Sequence, residues 1–342
     1  MDSHQLRSVA RGGLLGGVAL FVALILYQGL GEVARALAVA GFGLLVVAAF
    51  HVIPLVADAL GWRSLIATRV PLPARSVVFA RWIGESVNGL LPVAQVGGNV
   101  VKANIVARRG MPGTFAGATV VVDVTTLVGS QVAFTLLGLA FLLVRIGGSE
   151  VATTALVGSI AMGLAVAGFY LLQRRGGFGW LARRLAGVVP GELSRKLAAG
   201  AGTLDQDVAW LYARGRALGR AFGWHLASWI VGTGEVWLAL YFLGHPVDLG
   251  TAFLLESLGQ AIRAAAFAVP GALGVQEAGF VLLGPVLAVA PETALALSLA
   301  KRVRELALGL PGLVAWQIEE ANALLLARTD GTRMESPRME CP

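Results

Sequence analysis

The stretch LLPVAQVGGNVVKA, Leu90 to Ala103, sets a proline, a glutamine, two adjacent glycines, an asparagine and a lysine inside an otherwise apolar part of the chain. Proline lacks the backbone donor that a helix interior needs, and its ring clashes with the preceding turn. A glycine pair lets the chain reverse sharply. The stretch therefore breaks a helix in a place where apolar runs would otherwise continue. In a bilayer such irregular backbone is tolerated only where protein or a wet cavity surrounds it. The segment Asn99–Ala107 is too short to cross alone. This favours a re-entrant hairpin over Val77–Ala107, against an ordinary pair of spanning helices.

Composition agrees with a membrane setting. Of 342 residues, 56% are hydrophobic and 14% charged, against about a quarter charged in soluble domains. Mean hydropathy is +0.75. The 45 glycines suit close helix packing in lipid. The net charge of +7 is read as basic loops that orient the chain rather than as a nucleic-acid surface. The single Cys341 excludes an intrachain disulfide, and no Cys/His spacing suits a metal. Leu14–Leu30 is too long for the core of a cleavable signal peptide.

The fold class expected is an all-α polytopic membrane protein with about six full transmembrane helices and two broken hairpins. The spans are Gly13–Leu30, Leu37–Ala57, Thr114–Val144, Val151–Leu172, Ala221–Leu243 and Thr293–Trp316. The second broken region is Thr251–Val289. Basic residues gather at the N-terminus, in Asp58–Ser76, at Arg108 and Arg109, and in Gln173–Arg220, which has nine Lys and Arg against three acids. The positive-inside rule puts all of these, and both termini, in the cytoplasm. Each half then reads helix, helix, broken hairpin, helix, and the halves start on opposite sides. That order suggests an inverted-topology repeat, with residues 1–145 as first half and 151–316 as second, in a membrane domain of residues 1–325. Within the loop 173–220, Leu193, Leu197, Leu204, Val208 and Leu211 recur at helical spacing. They predict an amphipathic helix on the inner face, either a lipid-contacting elbow or a connector between halves. Residues 326–342 read as a disordered cytoplasmic tail.

A charge at mid-membrane costs about 2.5–3.5 kcal/mol on insertion scales, so buried charges are candidates for function. The first hairpin carries Arg81, Glu85 and Asn88 on one helical face, at steps of four and three. Gly97 and Gly98 follow the break, and the next half-helix opens with Asn99 and Lys102. Its N-terminal N–H groups would attract an anion or hydroxyl oxygens. The second hairpin repeats the steps with Glu256, Gln260 and Arg263, breaks at VPGALG, and resumes with Gln276 and Glu277. Asp123 lies inside the helix after the first hairpin. Lys301, Arg302, Arg304 and Glu305 lie inside the helix after the second. Asp123 and Glu277 are expected to partner some of these bases across the half interface. Arg81–Glu85 and Arg302–Glu305 are also spaced to form self-neutralising pairs on one helix. His51, His225 and Glu235 read as interfacial or packing residues. No nucleotide-hydrolysis, zinc-protease or serine-hydrolase motif is present.

GESVNGLLPVAQVGGNVVKANIVARRGMPG, the Asp123 helix, GALGVQEAGFVLLG and ETALALSLAKRVRELALGLPGLVAWQ together resemble the flippase-like membrane family. That family includes the transmembrane half of lysylphosphatidylglycerol synthases, and the likeness is strongest to its hopanoid-biosynthesis-associated HpnL branch. The resemblance covers nearly the whole chain before the tail. It implies a bacterial inner-membrane lipid translocase or exporter acting on hopanoids or similar polar-headed lipids, with no cofactor, metal or nucleic-acid partner. Possession of an export or lipid-synthesis partner is compatible with it. Lysyl transfer is not implied, because nothing globular follows Trp316. The family commonly has Gly-Gly-Asp-x-x-Arg where this chain has Gly97, Gly98, Asn99 and Lys102. Asn99 cannot take up a proton, and Lys102 keeps the charge without the bidentate fork. A proton-carrying role there would pass to Glu85, Asp123 or Glu277, or be absent. The alternative to a translocase is an integral membrane transferase that modifies an isoprenoid or hopanoid headgroup.

Overall fold

A computed structural model describes residues 38–91, 93, 96–146, 150–186, 192–265 and 275–334. The expected first span Gly13–Leu30, the break residue Pro92 and the VPGALG bend lie outside the described residues. Among those described, the regular structure is helical throughout: α1 Gly43–Ile66, α2 Ala74–Leu90, α3 Gly97–Arg108, α4 Gly113–Ile146, α5 Glu150–Arg174, α6 Gly177–Ala186, α7 Glu192–Tyr212, α8 Gly215–Phe242, α9 Leu249–Ala265, α10 Val275–Val286 and α11 Pro291–Met334.

Prolines mark several starts. Pro73 precedes α2 in an extended conformation, Pro112 precedes α4, and Pro291 is the first residue of α11. Proline has no donor to lose at these positions. At the opening break, Leu91 is extended (φ −109, ψ 146), as sterics require of a residue before proline. The chain then re-enters a helix at Gly97. Both broken regions thus resolve into helix pairs, α2 with α3 and α9 with α10, each pair packed together. The α2–α3 contact needs glycine. A Cβ on Gly98 would collide with the Gly84 carbonyl oxygen, and one on Gly84 would come to 2.8 Å of the Gly98 carbonyl.

Three described helices are long and apolar enough to cross a membrane: Gly43–Ile66, Gly113–Arg145 and Leu156–Arg174. α8 and α11 have the length, but polar groups such as His225 and Glu235, and the Lys301–Glu305 cluster, interrupt them. The apolar window of α5 is only 6% buried, with Val157, Ile160, Leu164 and Phe169 facing outward. Such a surface is stable against lipid and a liability in water.

Two differences from the sequence expectation stand out. α1 does not end at Ala57 but runs to Ile66, so Asp58 and Arg63 belong to a helix and not to a loop. α11 continues to Met334, past residue 326, where the disordered tail was expected to begin. Arg108 and Arg109 at the end of α3 reach Glu320 (2.8 Å) and Glu319 (3.1 Å) on α11. The amphipathic helix in the loop forms as α7. Its Val208 and Leu211 are fully buried against the protein, with Leu204 packed beside them. That part of the face packs against the protein.

The packing is reciprocal. α1 lies along α8. α2 packs against α11, and α4 against α9. α3 packs on α4, and α10 on α11. Close approaches recur at matching contacts: a Cβ on Gly138 of α4 would strike Ser257 of α9, and one on Gly312 of α11 would strike Ser86 of α2. Small residues permit such approaches where apolar burial gives no drive between helices. Among the described residues two large apolar clusters result, beside a smaller one of Leu139, Leu142, Leu254, Leu258 and Leu283. One gathers Trp62, Ile66, Ile83, Ile105 and Phe115. The other gathers Val47, Val236, Leu240, Leu255 and Leu297. The residues of α1 and α8 between these clusters are the ones that line a cavity.

Candidate functional site

The cavity has a volume of about 340 Å³. Its wall carries Arg81, Glu85, Asn88, Asn99 and Lys102 from the first hairpin, and Glu256, Gln260 and Arg263 from the second. Arg304 of α11 completes the expected residues there. His51 and Asp58 of α1 and Glu235 of α8 also line it, alongside apolar Leu55, Val124, Leu127 and Trp229. A smaller cavity of about 60 Å³ shares His51, Glu85, Arg263 and Arg304 and adds Glu305. The charged lining is balanced: Arg81, Lys102, Arg263 and Arg304 against Asp58, Glu85, Glu235 and Glu256.

One end of the cavity is held by Asp123, which is fully buried. Its Oδ2 accepts from Lys102 Nζ (2.7 Å) and Arg81 Nη1 (3.2 Å). Its Oδ1 is 3.0 Å from His225 Nε2. Asp58 joins the same group, 3.0 Å from Arg81 Nη2 and 2.7 Å from His225 Nδ1. The Lys102 ammonium also lies 4.9 Å from the centre of the Trp62 ring, a contact that favours a cation. Asp123 therefore partners Arg81 of α2, Lys102 of α3 and His225 of α8, and not the α11 bases it was expected to meet. Arg81 likewise turns to Asp58 and Asp123, and not to Glu85 one turn along.

The other end repeats the plan with signs reversed. Glu256 accepts from Lys301 Nζ (2.5 Å) and from Gln260 Nε2 (2.8 Å). Arg81 and Glu256 hold the same place in the two spacing patterns of α2 and α9, and Asp123 and Lys301 lie at the same depth in α4 and α11. Glu305 gathers Arg263 (2.8 Å), Arg302 (3.0 Å) and Arg304 (3.4 Å). The Arg302–Glu305 pair thus exists, inside a larger group. Arg263 also donates to Gln276 Oε1 (3.2 Å), and Gln276 donates to Ser298 (3.3 Å). Glu277 belongs to α10, and its side chain lies outside the described residues.

Between the two ends sits His51. Its Nε2 is 2.9 Å from Glu85 Oε1, and its Nδ1 is 2.6 Å from Glu235 Oε2 and 2.7 Å from Arg304 Nη1. Arg304 also donates to Glu235 Oε2 (3.1 Å). Two atoms of this group, Glu235 Oε1 and Arg304 Nε, are buried without a hydrogen-bond partner. Unpaired buried polar atoms are costly, and these two belong to residues facing the cavity.

The N-terminus of α3 is not the open anion site that the sequence suggested. Gly98 N–H donates to Asn88 Oδ1 (2.8 Å). Gly97, Asn99 and Val100 donate to the carbonyls of Val93 and Val96. Gly97 and Gly98 therefore form the first turn of α3, and Asn88 caps it. Among the described residues, no group of three or more His, Cys, Asp or Glu could hold a metal ion.

Sequence reasoning missed His51, Asp58, His225 and Glu235 as members of the site. They sit two to a helix, His51 and Asp58 on α1 and His225 and Glu235 on α8, with no local motif. The signal was their presence as titratable groups in apolar helices. Only the antiparallel contact of α1 with α8 brings His51 to Glu235 and Asp58 to His225. At the periphery, Arg145 pairs with exposed Asp248 (3.1 Å). The Thr251 hydroxyl and Arg145 hold that carboxyl well below the usual carboxylate range, but an exposed pair adds little stability.

Compared with known proteins, residues 14–312 match the family described as the lysylphosphatidylglycerol synthase TM region. No curated protein and no solved structure matches the chain.

Proposed function

We propose that this chain, which belongs to the lysylphosphatidylglycerol synthase TM-region family, is a translocase that carries the polar head of a lipid through its central cavity. The observation that carries the reading is the cavity of about 340 Å³, lined from both hairpins by balanced charge and enclosed by apolar helices. A headgroup crossing hydrocarbon alone would lose its hydration. Paired carboxylates, guanidiniums and amides in the cavity replace that water, while the apolar body of the lipid stays in the bilayer. On this reading the lipid is a hopanoid or a similar polar-headed lipid, and the membrane is the bacterial inner membrane with both termini cytoplasmic.

The reading includes an inverted repeat with six full spans and two re-entrant hairpins. The reciprocal packing of α2 on α11 and α4 on α9 supports it. So does the sign-reversed correspondence of Arg81–Asp123 with Glu256–Lys301. Two related halves around one polar site suit alternating access.

Lipid profiling of separated inner and outer membranes from a strain lacking the chain tests this directly. The expected result is an unchanged lipid inventory with a changed distribution between membranes. Disappearance of one lipid species, with its precursor accumulating, would replace the translocase with a headgroup-modifying transferase.

A further inference from the structure

We propose that His51 Nδ1 is a proton-exchange site of the central cavity, and that Arg304 is its switch. The argument starts from counting protons. Ionised carboxylates only accept hydrogen bonds, and a neutral imidazole donates only one. His51 has Glu85 at one ring nitrogen (2.9 Å) and Glu235 at the other (2.6 Å). Satisfying both requires a second proton in the group, and the ring is the member placed to carry it.

The same Nδ1 has a second neighbour of opposite demand. Arg304 Nη1, a pure donor, lies 2.7 Å away. With the proton on Nδ1, the ring donates to Glu235 and Arg304 stays on Glu235 Oε2 (3.1 Å). With the proton released to water or a basic group in the cavity, Nδ1 becomes an acceptor and Arg304 donates to it. Nε2–H donates to Glu85 in both states. Each protonation state therefore finds its partner already in place, and only the Nδ1 proton and the aim of Arg304 change. The unpartnered Glu235 Oε1 and Arg304 Nε belong to the same two residues, so this group is not closed on itself.

The elements around His51 contribute Glu85 from α2, Glu235 from α8 and Arg304 from α11, with Glu305 behind Arg304. His225 makes a useful contrast. It too lies between two carboxylates, Asp58 and Asp123, but Arg81 and Lys102 neutralise these, and among the described residues no guanidinium contacts the ring. His225 is fully buried and does not line the cavity, whereas His51 does. His225 holds the structure, and His51 exchanges. If the translocase reading stands, a proton gradient acts on headgroup passage through this switch. The proton site itself does not depend on that reading.

Nitrogen NMR of histidine-labelled full-length chain in phosphatidylcholine nanodiscs tests the site, with His51→Gln identifying the signal. Over about pH 5–8, where histidine charge commonly changes, the His51 ring should pass from a doubly protonated form to one protonated at Nε2 alone. In Arg304→Met the neutral ring should no longer be confined to that form. A single protonation state throughout, or a neutral ring protonated at Nδ1, would overturn the proposal. If Arg304→Met does not fold, the wild-type titration decides alone. A titrating His51 in a chain that moves no lipid would sink the translocase and leave the proton site standing.

Discussion

Replacing Asp123 with alanine should lower the stability of the chain by about 3–5 kcal/mol, the usual cost of removing one partner from a buried ion group. Asp123 has no exposure, accepts from Arg81 and Lys102, and lies 3.0 Å from His225 Nε2. Its removal leaves Lys102 without an anion within bonding distance and Arg81 with Asp58 alone. The group also joins α2, α3, α4 and α8, so the loss falls on the contact that fixes the first hairpin. Thermal unfolding in detergent, read with the amount of protein reaching the membrane, checks this. Wild-type stability in Asp123→Ala would mean that the charges around it are solvated, contrary to the geometry.

Lys301→Met should be nearly as damaging, because it strands Glu256 in a site where both side chains are 6% exposed. The double replacement Glu256→Met with Lys301→Met is expected to behave differently. Exchanging a whole buried pair for apolar groups of similar size is often neutral or stabilising. The double variant should therefore regain most of the stability lost in Lys301→Met. It should not regain lipid movement, since Glu256 lines the cavity and also accepts from Gln260. A double variant that is stable and fully active would show that this pair only fills space. One that stays unstable would show that the pair is needed for folding beyond its own neutrality.

Much of the helical order was legible in the sequence. LLPVAQVGGNVVKA announces its own break, since proline acts through local backbone chemistry, whereas Gly98 serves the close approach of α3 to Gly84. The spacing of Arg81, Glu85 and Asn88 against Glu256, Gln260 and Arg263 put both sets on one face, and both sets line the cavity. Partner choice was not legible. Asp123 was assigned to the wrong bases because helix spacing says which face a residue occupies, not which neighbour lies opposite. His51, Asp58, His225 and Glu235 have no motif, and their meeting depends on the register of α1 against α8. Asp58 was further hidden by a span boundary drawn where charge begins, although the helix runs on to Ile66. The anion site expected at α3 was closed by Asn88, a contact fixed by the tight Gly84–Gly98 approach.

The most direct measurement is movement of a fluorescently tagged hopanoid in phosphatidylcholine vesicles carrying the purified chain, with a membrane-impermeant reductant added outside. Glu85→Gln and Arg263→Ala serve as the comparison. Their side chains are 41% and 25% exposed, so both changes alter the cavity wall at little cost to the fold. Wild-type chain should bring the probe of both leaflets within reach of the reductant, and the two variants, at equal protein amount, should leave the inner leaflet protected. Protection of the inner leaflet by wild-type chain, or equal exposure in all three, would contradict a translocase working through this cavity.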